Sequence, residues 1–394
     1  MIVSTPVADG PAGPEFALPS ADKGLGTAME KRVYNFSPGP AVLPLPVIEA
    51  VQRDLIALPG TGISILEISH RSAAFGAIVE SAEANFRKLY NLSDDYTVLF
   101  LQGGASMQFA MLPMNFLAGT GRTAEFVVSG TWSKKAASEA AKLGATRTLW
   151  DGKADNFVRK PAPSDVTVSG DAAYAYVCSN ETIQGVQFPA DAFPKSGDVQ
   201  LFCDASSDIF CRPLDLSRFG VYFACAQKNA GPSGVTVVVM RKDLIERTPT
   251  TLPSMLSYRV MADEKSLFNT PPTFAIYVFK LITDWLLGEI GGLVEMEKIN
   301  LRKAGYLYDA IDGSDGFYTC HADRAFRSTM NVAFRLPSDE LQAAFLAGAK
   351  ERDMVELKGH RSVGGCRASI YNAMPEAGVK ILADWMTEFA AKNR

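Results

Sequence analysis

Val221-Tyr-Phe-Ala-Cys-Ala-Gln-Lys-Asn-Ala-Gly-Pro-Ser-Gly234 is the stretch on which the reading of this chain turns. Its first half is a run of large apolar residues without a turn former, the pattern of a strand covered on both faces. Its second half gathers small residues and turn formers around a single lysine, Lys228. In an α/β sheet the carboxyl end of a strand opens into the crevice where ligands bind. Lys228 is therefore expected at such a mouth. Small neighbours leave room for a flat ring, and a partly desolvated amine gives up its charge more readily, as a Schiff-base lysine must. Taken alone, a lysine in a loop is most often a surface residue.

Working outward, the run Val199-Gln-Leu-Phe-Cys-Asp204 ends in a carboxylate one strand before the lysine. An acidic group there can pair with a protonated pyridine nitrogen, which keeps the ring electron-withdrawing and stabilises a carbanion. By itself Asp204 would more often cap a helix, with Ser206 and Ser207 following. A third element is Leu99-Phe-Leu-Gln-Gly-Gly-Ala-Ser-Met-Gln108, in which a strand breaks at two glycines before a helical pattern opens. Backbone amides at a helix N-terminus favour a phosphate. The motif is not GxGxxG and lacks the lysine of a P-loop, which argues against a dinucleotide or a nucleoside triphosphate. Trp132, in Ser129-Gly-Thr-Trp132, follows another apolar run and is placed to stack on a cofactor ring, packing being the plainer reading.

These runs belong to a series. Residues 96–101, 124–129, 173–178, 199–203, 221–224 and 235–240 read as short strands. Helical spacing precedes them, from Pro46 toward Leu58 and over 74–90, and falls between several of them, as over 133–143 with Gly144 as its stop. The alternation predicts a mostly parallel sheet covered on both faces. After Gly291-Gly292 the texture changes to a long helix over 293–309, a strand over 330–336, a helix over 340–352, a glycine-punctuated strand pair over 355–371 and a last helix over 376–393. The expected division is a flexible extension over 1–32, a large cofactor-binding domain over 45–292, and a smaller α+β domain formed by 33–44 plus 293–394.

Composition bounds the function. The 394 residues are 47% hydrophobic and 21% charged with a net charge of −4, the profile of a globular protein with a large core. No basic block points to nucleic acid, and no basic amphipathic face points to a membrane surface. The apolar stretch 273–294 is interrupted by Lys280, Asp284 and Glu289 and reads as a core helix. None of the 6 cysteines forms a CxxC pair, so no metal site is expected, and the pattern suits a reducing compartment such as the cytoplasm. The first thirty residues lack the apolar block of a secretory signal and the arginines of a transit peptide. Two of the three histidines precede arginine, in Ile68-Ser-His-Arg71 and in Gly359-His-Arg-Ser-Val-Gly-Gly-Cys-Arg367. Three guanidiniums and two imidazoles suit a substrate with more than one anionic group.

With these residues in place the chain resembles the phosphoserine aminotransferase family, in class V of the fold-type I pyridoxal-phosphate enzymes. The likeness runs from about Tyr34 to the C-terminus. It is carried by Asn35-Phe-Ser-Pro-Gly-Pro-Ala41, Ser69-His-Arg71, Asn180-Glu-Thr182, Ala226-Gln-Lys-Asn229, Phe268-Asn-Thr-Pro-Pro-Thr273, Gly359-His-Arg361 and Arg367-Ala-Ser-Ile-Tyr-Asn-Ala373. The resemblance implies pyridoxal 5'-phosphate as cofactor, with Lys228 as the Schiff-base lysine and Asp204 as partner of the ring nitrogen. It implies that Trp132 stacks on the ring and that Thr182 bonds near its phenolic oxygen. Ala105, Ser106 and Gln227 would serve the cofactor phosphate. Asn269 and Thr270 would reach that phosphate from the other subunit of a homodimer. His70, Arg71, His360, Arg361 and Arg367 would bind substrate, Arg367 taking the α-carboxylate. The implied reaction is ping-pong amino transfer between glutamate and 3-phosphohydroxypyruvate; whether a phosphorylated hydroxythreonine of vitamin B6 synthesis, which also offers a carboxylate and a phosphate, is served as well is left open by the sequence. Ser106 departs from members with arginine in that loop, and Pro38 from members with serine. The rival within the class is a lyase or cysteine desulfurase using Cys366; outside it, a nicotinamide oxidoreductase lacks its GxGxxG.

Overall fold

The computed structural model describes residues 32–394. The extension expected at the N-terminus lies, apart from its last residue, outside the described residues. Seven strands form the main sheet: β1 (Tyr96–Leu101), β2 (Thr123–Val128), β3 (Ala145–Asp151), β4 (Tyr174–Cys178), β5 (Leu201–Asp204), β6 (Val221–Cys225) and β7 (Thr236–Arg241). Their order across the sheet is β1, β7, β6, β5, β4, β2, β3, with only β7 antiparallel to its neighbours.

The apolar runs are continuous because both faces are covered. Along β6, Tyr222 and Ala224 pack into one hydrophobic cluster while Val221 and Phe223 pack into the opposite one. Along β1, Val98 and Phe100 face the first cluster and Leu99 and Leu101 the second. The period of two is the pleat itself. Helices Ala73–Tyr90 and Thr273–Trp285 contribute to the first cluster, and Gly104–Phe116 and Thr131–Ala140 to the second.

A third cluster gathers helices Leu293–Asp312, Asp339–Lys350 and Glu376–Asn393 on an antiparallel sheet of Thr319–Cys320, Asn331–Arg335 and Cys366–Ser369. Phe36 joins this core, and Tyr34–Asn35 pairs in parallel with Met354–Val355.

The structure departs from the sequence reading at three places. The strand pair expected over 355–371 does not form: Met354–Val355 pairs with the chain start, Cys366–Ser369 pairs with Asn331–Arg335, and one bridge joins Lys358 to Cys366. The apolar stretch 273–294 is not one helix. Helix Thr273–Trp285 widens over Leu286–Ile290, and Gly291 and Gly292, at φ +86° and +100°, turn the chain before the next helix begins. Strand β3 went unread, because as an edge strand its residues are half-buried or exposed and carry no apolar run. Among the described residues no helix is long and apolar enough to cross a membrane.

Candidate active site

Strands β1, β2, β4, β5 and β6 all end on the same edge of the sheet, and the segments leaving them enclose a cavity of about 210 Å³. That is far more than a few waters need and enough for a ring-sized ligand. Gly103 to Ser106, Trp132, Asn180, Thr182, Asp204 and Lys228 line it.

Each side chain arrives there for a local reason. Lys228 follows β6 in a turn whose Asn229 is anchored, its Nδ2 donating to the Ile209 carbonyl at 3.0 Å. Lys228 Nζ donates to Thr182 Oγ1 at 2.6 Å and lies 5.6 Å from the Trp132 ring centroid. Asp204 ends β5; it is 3% exposed, and its Oδ1 accepts the Ser206 amide at 2.9 Å. Burial pushes its carboxyl above the usual range, against the pull of Ser206 and Lys228. Gly103 and Gly104 sit at φ +87° and +65°, turning the chain into helix Gly104–Phe116 so that its first turn lines the cavity.

Lys228 corrects one expectation. Burial does work to lower its ammonium, but Tyr371, Cys225, Asp204 and Cys178 outweigh it, and the net direction is up. Burial alone therefore does not decide the charge of this amine.

A second, wider cavity shares Trp132, Thr182, Gln227 and Lys228 with the first and adds Lys135, His360, Arg361 and Arg367. Among the described residues no carboxylate lines it. Arg367 stands in the C-terminal sheet opposite Ala333 and is 6% exposed, with its Nε unpartnered. A buried guanidinium without a counterion calls for an anion. Burial lowers it from its ordinary value. His360 is lowered too, by burial and then by the nearby cations Arg367, Arg361 and Lys135.

Of the residues singled out in the sequence, Lys228, Asp204, Ala105, Ser106, Trp132, Thr182, Gln227, His360, Arg361 and Arg367 converge on these joined cavities. His70, Arg71, Asn269 and Thr270 do not line either one; Arg71 and Thr270 are exposed, and Asn269 lies by another pocket with Gln102 and Pro271. Lys135 was missed, although it stands one helical turn after Trp132, its Nζ 4.5 Å from that ring. Glu181, fully buried, was missed as anything more than a motif letter.

A strand-end lysine with a buried carboxylate one strand away defines a class. The family model for class V aminotransferases matches residues 33–382. The chain is 52% identical to the phosphoserine aminotransferase of Rhodopirellula baltica over 92% of its own length and 96% of that protein's. Against the chloroplastic phosphoserine aminotransferase 1 of Arabidopsis thaliana the identity is 48%, covering 92% and 84%. The solved phosphoserine aminotransferase of Bacillus circulans subsp. alkalophilus superposes with a TM-score of 0.89 at 46% identity, covering 92% and 99%. The PLP-bound phosphoserine aminotransferase of Trichomonas vaginalis superposes at 0.84 and 36%, covering 90% and 99%. The chain belongs to the phosphoserine aminotransferase family of class V.

Proposed function

We propose that this chain is a pyridoxal-phosphate-dependent phosphoserine transaminase, moving an amino group reversibly between glutamate and 3-phosphohydroxypyruvate to give O-phosphoserine and 2-oxoglutarate. The observation that carries the substrate class is the cavity bearing Arg367, Arg361, His360 and Lys135 beside Lys228, which no carboxylate lines among the described residues. Both amino acids and both keto acids are at least doubly anionic, and Arg pairs with carboxylate and phosphate through its fork of donors.

The donors present fit the cofactor. Lys228 would anchor it, Asp204 would pair with its ring nitrogen, Trp132 would lie against its ring and Thr182 would meet its phenolic oxygen. Ala105, Ser106 and Gln227 would serve its phosphate. When bound, pyridoxal phosphate supplies an electron-withdrawing ring that takes up the charge left when an amino acid loses its α-proton. Lys228 Nζ is the base that removes that proton and returns it, a role for which its position at Thr182 Oγ1 prepares it. Asp204, held off water at the floor of the cavity, favours a proton on its partner throughout. Arg367 binds the α-carboxylate; His360 and Arg361 meet the distal phosphate or carboxylate.

A homodimer is part of the reading. Asn269, Thr270, His70 and Arg71 line neither of the two joined cavities, and Ile56, Leu66 and Phe268 are exposed at 84%, 62% and 39%. A second copy would bring those residues to a shared site. We also propose the division into a large domain over 45–292 and a small one over 33–44 plus 293–394, supported by the separate C-terminal core that Phe36 joins. The proposed compartment is the cytoplasm, in keeping with six free cysteines.

The desulfurase or lyase alternative is not favoured. Cys366 is fully buried in a paired strand, and burial pushes its thiol up to about 12, so it is no mobile nucleophile. The test is direct: the purified holoenzyme is assayed with glutamate against 3-phosphohydroxypyruvate and, separately, the phosphorylated keto acid of hydroxythreonine. Glutamate-dependent formation of phosphoserine is expected; turnover of neither keto acid would overturn the reading.

A further inference from the structure

Asn180–Glu181 is a two-residue strand paired with Val186–Gln187. The strand ends at Glu181, and Thr182 opens the turn that leads back to Val186, the Gly185 amide donating to the Glu181 carbonyl at 2.8 Å. Thr182 Oγ1 meets Lys228 Nζ at 2.6 Å. The Glu181 side chain reaches the N-terminus of helix Thr131–Ala140. There its Oε2 accepts the Trp132 amide at 2.9 Å, and its Oε1 accepts the Ser133 amide at 2.9 Å and Ser133 Oγ at 2.6 Å. Gln184, at the other end of the same turn, bonds Thr131 Oγ1 from its Nε2 at 2.9 Å. The side chain of Glu181 is wholly buried. A Cβ at position 130 would lie 2.5 Å from Glu181 Cδ, so the approach requires the glycine found there. Lys160 is also fully buried, its Nζ donating to Ser129 Oγ and the Cys178 carbonyl at 2.9 and 2.7 Å, and Glu181 is among the charges that favour its ammonium.

We propose that Glu181 is a positioning residue that sets Trp132 and Thr182 in a single arrangement about Lys228. Its carboxylate is the one side-chain end that can take these three donors, since it is acceptor-only on both oxygens. A glutamine would turn an NH₂ toward either the Trp132 or the Ser133 amide, donor against donor, inside the protein. The helix start would shift, and the indole would move with it. Because Glu181 and Thr182 are consecutive, the same displacement would loosen the Thr182–Lys228 contact.

The inference rests on the proposed cofactor reading of Trp132 and Thr182, and on nothing about the amino donor. It is tested on the full-length chain stripped of cofactor and titrated with pyridoxal phosphate, reading the dissociation constant and the quenching of Trp132 fluorescence, the latter assigned with Trp132→Phe. Glu181→Gln is expected to weaken cofactor binding about ten- to a hundred-fold, the loss of one buried charged hydrogen-bond set, and to diminish the quench. In a Trp132→Phe background the same substitution should cost much less, because its effect runs partly through the indole. Ser133→Ala, which removes one of the three donors, should move both readouts in the same direction by less, and it carries the test if Glu181→Gln does not fold. Wild-type affinity and quench in Glu181→Gln, or a loss that is the same with and without Trp132, would overturn the proposal. Failure of the wild-type chain to bind pyridoxal phosphate would overturn the functional reading instead.

Discussion

Thr182 Oγ1 and Lys228 Nζ, 46 residues apart in the chain, lie 2.6 Å from one another where two strands of the main sheet come to an end. The hydroxyl fixes the amine on the wall of the cavity that also holds Asp204. Replacing the lysine removes anchor and base together, so Lys228→Ala should abolish multiple turnover while the protein remains folded. Thr182→Ala should lower kcat by about two- to tenfold, the worth of one hydrogen bond, and Thr182→Ser should restore most of it. Steady-state assays of the three variants check this; a Thr182→Ala enzyme with unchanged kinetics would remove the residue from the site.

Among the described residues, Asp204 is the acidic one lining the first cavity. Asp204→Asn keeps the shape and removes the charge. A fall of roughly 10²–10³-fold in kcat is expected, the usual effect of deleting one preorganised electrostatic partner, with the KM for glutamate little changed. A loss confined to KM would instead mark Asp204 as a substrate contact.

The cationic wall should divide by substrate group. Arg367→Lys keeps the charge and loses the fork, and should raise the KM of glutamate and of the phosphorylated keto acid alike. His360→Ala and Arg361→Ala should weaken binding of the distal anion and leave the response to simple α-carboxylate inhibitors nearly unchanged. Inhibition constants for a monocarboxylate and for inorganic phosphate, measured on each variant, separate the two roles.

Lys303 gives a pH signature of stability. It is fully buried and donates to the carbonyls of Ile370 and Tyr371 at 3.0 and 2.7 Å, immediately after the strand that carries Arg367. Burial pulls its ammonium down to about 7. A depressed folded value means that the unfolded chain binds the extra proton between about 7 and the ordinary lysine value. Stability from this group is therefore complete above the ordinary lysine range and is lost as pH falls toward 7. The stability of the wild type relative to Lys303→Met should rise by about 1 kcal/mol per pH unit from 7 toward 10. Denaturant unfolding at several pH values measures it; a pH-independent difference would refute it.

What the sequence determined by itself follows from periodicity and local chemistry. The apolar runs of β1, β2, β4, β5, β6 and β7 were legible because strands buried on both faces need no polar alternation. Lys228, Asp204 and the Gly103–Gly104 turn were legible because each follows such a run, where a side chain must emerge at the sheet edge. Tertiary structure alone decided the rest. Arg367 and His360 come from a separate core, and they reach Lys228 through pairings such as the Asn372 amide on Asn229 Oδ1 at 2.9 Å, which no local pattern encodes. Glu181, Lys160 and Lys303 are charged residues in the interior. A linear reading places such residues on the surface, because burying a charge is costly unless partners from distant segments meet it, and only the folded chain brings those partners together.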